Sequence, residues 1–216
     1  MAWSALDYGW LLFYSEVMKK IFTVLFLILF HAMAVCAQTA VDENVIREKI
    51  VSVSSSIASV ECDFVQTRQS SLLADAAVSR GHMTYHRPGF LCWKYLSPFN
   101  MELCVDGQNV SLKIDGNSKP VGDQNRVVKE MSKMIIANIE GDSLINGSLF
   151  KNKIKQEDDD IVVVLYPLNS NFKKMWEELV LTYDSKDYTV RCFVIKEISG
   201  DITTIKFSDA RYEFSE

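Results

Sequence analysis

From Asp42 to Ala58 apolar residues recur at helical spacing. Ile46, Ile50, Val53 and Ile57 form one stripe, with Arg47, Glu48 and Lys49 interleaved. This pattern predicts an amphipathic helix that Asp42 is placed to cap. The period then falls to two. Val60, Cys62 and Phe64 alternate with Glu61 and Asp63, the signature of a strand running into Gln66. Thr67 to Ser79 is polar and Ala-rich and reads as a loop, and Gly81 opens a second strand with Met83 and Tyr85 on one face. Leu91 to Val105 predicts a hairpin about Ser97-Pro98, with Leu91, Trp93, Tyr95, Met101, Leu103 and Val105 on one parity. With the turn centred on Pro98, Lys94 opposes Glu102, a favourable cross-strand pair. Cys92 then opposes Cys104, which leaves a disulfide between them possible.

Asp106-Gly107 supplies the next turn and Val110 to Ile114 another strand. Gln124 to Ile139 returns to helical spacing, with Val128, Met131, Ile135 and Ile139 on one side and Gly141 as a stop. Ile161 to Tyr166 reads as a short apolar strand ended by Pro167. Three further strand-like runs follow, Glu177 to Tyr183, Thr189 to Ile198 and Ile202 to Phe207. Strands joined by short turns and interrupted by helices predict a single curved antiparallel sheet.

The N-terminus does not share this pattern. Met18-Lys19-Lys20 precedes ten residues, Ile21 to Phe30, that hold one Thr and no charge, and Val35-Cys36-Ala37 follows. A basic start, a short apolar stretch and small residues at its end form a secretory signal peptide. The apolar run falls short of the about 20 residues that a membrane span needs, which disfavours an uncleaved anchor. Cys36 also suggests lipid attachment, but Val35 stands where a small residue belongs. The expected boundaries are residues 1–37 for an over-extended start plus signal peptide, with Met18 as the true start, and 38–216 for a single domain.

Composition narrows the function classes. The chain of 216 residues carries 23 Lys+Arg against 28 Asp+Glu, a net charge of −5. No basic excess exists to neutralise phosphates, so nucleic acid is not an expected partner. Cys62, Cys92, Cys104 and Cys192 match no zinc or CxxC spacing. His82 and His86 lie on one strand face about 13 Å apart, too far to share a metal. Glu157 to Asp160 resembles a calcium loop in charge alone and reads as a solvated turn. No nucleophile–base pair and no phosphate or dinucleotide fingerprint is present, so no enzyme, cofactor or metal is expected. Arg87, one charge on the parity of Met83 and Tyr85, is either a surface residue at a strand end or a bridge from the sheet to a helix through backbone carbonyls.

The stretch Gly81-His82-Met83-Thr84-Tyr85-His86-Arg87-Pro88-Gly89-Phe90-Leu91-Cys92-Trp93-Lys94-Tyr95, then Pro98 and Val105-Asp106-Gly107, resembles the central signature of the outer-membrane lipoprotein carrier family, LolA. Phe64-Val65-Gln66 resembles that family's upstream Phe-x-Gln, and a weaker similarity continues through Gly200-Asp201 and Ile205-Lys206-Phe207. The resemblance implies an α+β, mainly β fold: an unclosed antiparallel β-barrel or strongly curved sheet with helices covering its concave apolar face. It implies a periplasmic chaperone that shields the acyl chains of lipoproteins and carries them from an inner-membrane releasing transporter to an outer-membrane acceptor, as a monomer. It further implies that Arg87 holds a helical lid and that Trp93 and Leu91 face the cavity.

Strand parity and resemblance together nominate Phe64, Met83, Tyr85, Leu91, Trp93, Tyr95, Met101 and Leu103 for the acyl cavity. Arg87, Met131, Met134 and Ile135 are the expected lid contacts, the methionines suiting an adaptable underside. A carrier of another lipid or lipid-linked product, such as a pigment or glycolipid, is the alternative. A secreted hydrolase is the third.

Overall fold

The computed structural model describes residues 42–215 apart from 108, 121–124, 146 and 148; the side chains of 125–131 and 143 also lie outside it. The signal segment expected over 1–37 falls outside the described residues.

Helix α1 spans Glu43–Ser56, and the Asp42 side chain accepts from the Asn44 backbone N–H at 2.9 Å. Ile46 and Ile50 are buried, as their spacing demands. The helix stops before Ala58 because Ile57 is already extended and starts strand β1, Ile57–Gln69. Strand β2 is Ala77–His86, and its pairing with β1 continues out to Thr67↔Val78 and Arg68↔Ala77. The loop expected over 67–79 therefore shrinks to 70–76. Ladder hydrogen bonds are indifferent to side-chain polarity, so polar residues at an exposed strand end continue the pairing.

Strands β3 (Phe90–Ser97) and β4 (Met101–Asp106) form the expected hairpin, with Lys94↔Glu102 and Cys92↔Cys104 directly opposed. Cys92 and Cys104 are disulfide-bonded, while Cys62 and Cys192 are free. Strands β5 (Asn109–Ile114) and β6 (Asn117–Lys119) complete this half. Helix α2, Asn125–Ile139, and the short α3, Asp142–Ile145, then lead to strand β7, Phe150–Glu157. Strand β7 carries only two buried apolar residues, Phe150 and Ile154, with Lys151 and Lys155 exposed between and beyond them. That is the composition of a protected edge strand, and it hides the strand from a hydrophobicity reading.

Strand β8 (Asp160–Pro167), the one-turn α4 (Ser170–Lys173), β9 (Trp176–Asp184), β10 (Val190–Glu197) and β11 (Ile202–Phe214) finish the chain. Strand β11 continues well past Phe207 because it pairs with β1 along its length, from Gln69↔Ile202 to Ile57↔Phe214.

The described strands all belong to one antiparallel sheet in the order β6-β5-β4-β3-β2-β1-β11-β10-β9-β8-β7, not closed into a barrel. Two meanders are joined where the first strand meets the last. Residues from β4 and from β9 line the same hollow, so the sheet must curve strongly, with α1 and α2 on its concave side. The fold is mainly β, as its alternating patterning requires.

Gly81 allows a close approach that this curvature needs. A Cβ there would lie 2.1 Å from the Lys94 carbonyl oxygen and 2.5 Å from Phe64 Cζ. The Gly81→Ala substitution is expected to cost about 3 kcal/mol, because backbone as well as a buried ring must move. Urea denaturation reads this as a lowered midpoint at unchanged slope.

Candidate functional site

The inward parity of β3 and β4 brings Leu91, Trp93, Tyr95, Met101, Leu103 and Val105 to one wall of a cavity of ≈ 370 Å³. Val60 and Cys62 of β1 and Met83 of β2 continue the wall. The opposite wall comes from Trp176, Leu181, Phe193, Ile205, Phe207 and Tyr212. Alternation in the three C-terminal runs carried the signal for Leu181, Phe193, Ile205 and Phe207, while Trp176 and Tyr212 lie outside those runs. What it lacked was the knowledge that β11 lies against β1, which turns those residues towards the first wall. Ser132, Met134, Ile135, Asn138 and Ile139 of α2 form the roof, beside Ser54 of α1. Asn138 is buried, yet its amide donates to the Met134 carbonyl at 2.9 Å, so the roof presents no orphaned amide there.

Six of the residues nominated for the cavity line it: Met83, Leu91, Trp93, Tyr95, Met101 and Leu103. Phe64 and Tyr85 share their parity but lie outside the lining. Phe64, 1 % exposed, packs under the rings of Trp93 and Tyr95, with centroids at 4.7 and 5.3 Å. Its ring occupies the space that Gly81 leaves open, so it supports the aromatic wall from behind. Tyr85 is fully buried, and its hydroxyl donates to Glu140 Oε1 just beyond α2. Burial first, and the Glu140 carboxylate second, push the Tyr85 phenol well above its ordinary range.

Arg87 stands at the same junction. Its Nε donates to the Ile57 carbonyl at 3.0 Å, and Nη2 to the Ser54 carbonyl at 3.4 Å. Nη1 lies 3.7 Å from Glu140 Oε1. One guanidinium thus ties β2 to the carbonyl end of α1 and to the end of α2, a fork that lysine does not reproduce. Gly141, at φ +81°, lets the two helix ends meet: a Cβ there would come within 3.0 Å of the Ser54 Cβ. Met134 and Ile135 line the cavity from above, and the side chain of Met131 lies outside the described residues.

The charged lining residues Arg68 and Glu197 meet Gln66 and Thr203 at one end of the strands, while Ser54, Ser132, Asn138 and Thr189 line other parts of the cavity. Tyr95 donates to Gln66 Oε1 at 3.0 Å, and Arg68 lies 3.2 Å from Glu197. Trp93 Nε1 is, among the described residues, the one buried side-chain polar atom without a partner. Cys62 faces the cavity as a neutral thiol, pushed up to about 12 by burial and by neighbouring Asp63. It is therefore a small apolar wall element at neutral pH and no nucleophile.

The remaining polar candidates lie elsewhere. His82 contacts Asp63 at 2.8 Å outside the cavity, and His86 packs against Phe90. The run from Glu157 to Asp160 forms the β7–β8 turn, with Asp158 at φ +52°. Cys92, Glu102 and Cys104 cluster, but sulfurs joined as a disulfide are not thiolate ligands.

The profile of the LolA family, outer membrane lipoprotein carrier protein LolA, matches residues 55–214. No curated protein sequence matches the chain. A LolA superfamily protein from Nitrosomonas europaea aligns with 8 % identity and a TM-score of 0.40, over 80 % of this chain and 94 % of its own. The lipoprotein LppX of Mycobacterium tuberculosis aligns at 10 % identity and a TM-score of 0.42, over 78 % of this chain and 96 % of its own. LprF of Mycobacterium bovis gives 13 % identity and a TM-score of 0.40, over 76 % and 90 % respectively.

Two outcomes are expected from the site's electrostatics. Tyr85→Phe costs about 1–2 kcal/mol, and in a double-mutant cycle with Glu140→Ala the two losses are not additive, because each removes the same bond. At neutral pH iodoacetamide leaves Cys62 unmodified in the native protein and alkylates it after denaturation, as peptide mass spectrometry reads directly.

Proposed function

The chain belongs to the LolA family of lipoprotein carrier proteins, and from that membership we propose that it is a periplasmic chaperone for acylated lipoproteins. It takes cargo from an inner-membrane releasing transporter and delivers it to an outer-membrane acceptor. The observation that carries the reading is the ≈ 370 Å³ hollow between two apolar walls, roofed by helix α2. A fully packed core leaves no such space. Hiding an acyl chain from water is worth about 0.8 kcal/mol per methylene, and alternating side chains of several strands supply that burial without catalytic chemistry. Trp93 Nε1 offers an unpartnered donor to an ester or amide carbonyl at the head of such a chain.

In this reading Met83, Leu91, Trp93, Tyr95, Met101 and Leu103 contact the acyl chain, and Met134 and Ile135 close over it. Phe64 and Tyr85 act from behind, the first by holding the aromatic wall and the second by holding Glu140. Arg87 is the latch. Its bonds to Ile57, Ser54 and Glu140 are made with the roof closed, and cargo entry must break some of them. Closing energy therefore subtracts from cargo affinity.

Removal of the latch is the test. Arg87→Leu is expected to tighten binding of an apolar fluorophore by roughly fivefold to tenfold, the equivalent of about 1 kcal/mol of lost hydrogen bonding. A wild-type protein that takes up no apolar fluorophore overturns the carrier reading. Native mass spectrometry of protein taken from its own envelope identifies the cargo: an acylated protein is expected, and free lipid alone overturns the lipoprotein assignment.

A further inference from the structure

The exposed large apolar side chains are distributed with a strong polarity. Among the described residues, all but Val45, Ile145 and Phe214 lie at one end of the strands, in or beside the β1–β2, β3–β4, β5–β6, β8–β9 and β10–β11 connections and the start of β7. Leu72 is 90 % exposed and Leu73 67 %, with Phe99 and Ile198 above half. Apolar display on this scale marks an interaction surface.

The leading tip is held in place. The Ser71 backbone N–H donates to Asp201 Oδ1 at 2.9 Å, and Ser71 Oγ to the Ser199 carbonyl at 3.0 Å. Asp201 also takes Arg68 at 3.0 Å. Arg68 lines the cavity, so one network fixes the Leu72-Leu73 tip, the β10–β11 turn and the polar end of the hollow.

Charge separates the two ends as well. Lys119, Lys151, Lys173 and Lys174 are exposed at the apolar end, against Asp75, Asp115 and Glu177. At the opposite end the exposed acids Asp106, Glu157, Asp158, Asp159 and Asp187 outweigh the exposed bases Lys155, Lys186 and Arg191. We propose that the apolar end docks on a lipid bilayer bearing anionic headgroups, with Leu72, Leu73, Phe99 and Ile198 entering the interface. Side chains carried on separate turn tips need no complementary groove, which suits a fluid surface better than a shaped protein partner. Lysines at this end meet the headgroups while the acidic end is held away. Docking brings the polar end of the cavity to the membrane in which the transporter or the acceptor sits. This extends the carrier reading, and the experiment separates the two.

Hydrogen exchange of the full-length chain is followed by mass spectrometry with phosphatidylcholine vesicles, with and without phosphatidylglycerol. Vesicles containing phosphatidylglycerol are expected to slow exchange several-fold in peptides covering 70–76 and 198–201, and to leave 106–107 and 158–159 unchanged. The double substitution Leu72→Ser, Leu73→Ser abolishes that protection. Absence of protection, equal protection at both ends, or protection that survives the double substitution overturns the docking. Uptake of the apolar fluorophore persists in both proteins; its absence in wild type with loop protection intact overturns the carrier reading and leaves the docking standing.

Discussion

The pairing of β1 with β11 is the constraint on which the rest of the molecule depends. Without it the chain would hold two separate meanders, β1 to β6 and β7 to β11, each with one greasy face in search of cover. With it, eleven strands become one sheet whose inward faces share a single interior. The pairing is long, from Ile57 to Gln69, and it fixes register across both halves. A one-residue slip would turn every inward side chain of the second half outward.

Curvature follows from this union, and so does a tension. A concave sheet roofed by helices would ordinarily be filled by side chains to the density of a crystal. Here the aromatic wall of Trp93 and Tyr95 is braced by Phe64 over a bare Gly81, while Met134 and Ile135 sit opposite without closing the gap. At the helix junction Arg87, Tyr85 and Glu140 join the sheet to the ends of both helices through polar bonds. The apolar underside of the roof, with Met134 among its side chains, tolerates a new occupant.

Much of this was legible in the sequence, and particular residues show where legibility ended. The hairpin about Pro98 could be read to the exact pair, because alternation and the turn residues leave one register for Lys94 with Glu102. Helix α1 was readable from its stripe, but its end was not, since Ile57 fits the helical spacing as well as it fits the strand it begins. Strand β7 was silent because an edge strand is selected for lysines. Residues 67–69 and 77–79 looked like loop because their polarity says nothing about ladder hydrogen bonds. Within the site, the parity rule grouped Phe64 and Tyr85 with Trp93 and Met101, because period alone does not distinguish a residue that lines a hollow from one that props up its wall.

The one-dimensional pattern thus determined which faces are apolar, the local register of the central hairpin and the presence of an arginine at a strand end. Each depends on neighbours within a few positions, where side-chain period and turn chemistry act directly. Only the tertiary structure decided that the last strand lies against the first, that Phe64 and Tyr85 support while Trp93 and Met101 line, and that Arg87 meets Glu140. Those outcomes depend on contacts between residues up to about 150 positions apart, which local periodicity does not encode and which chain closure and packing settle together.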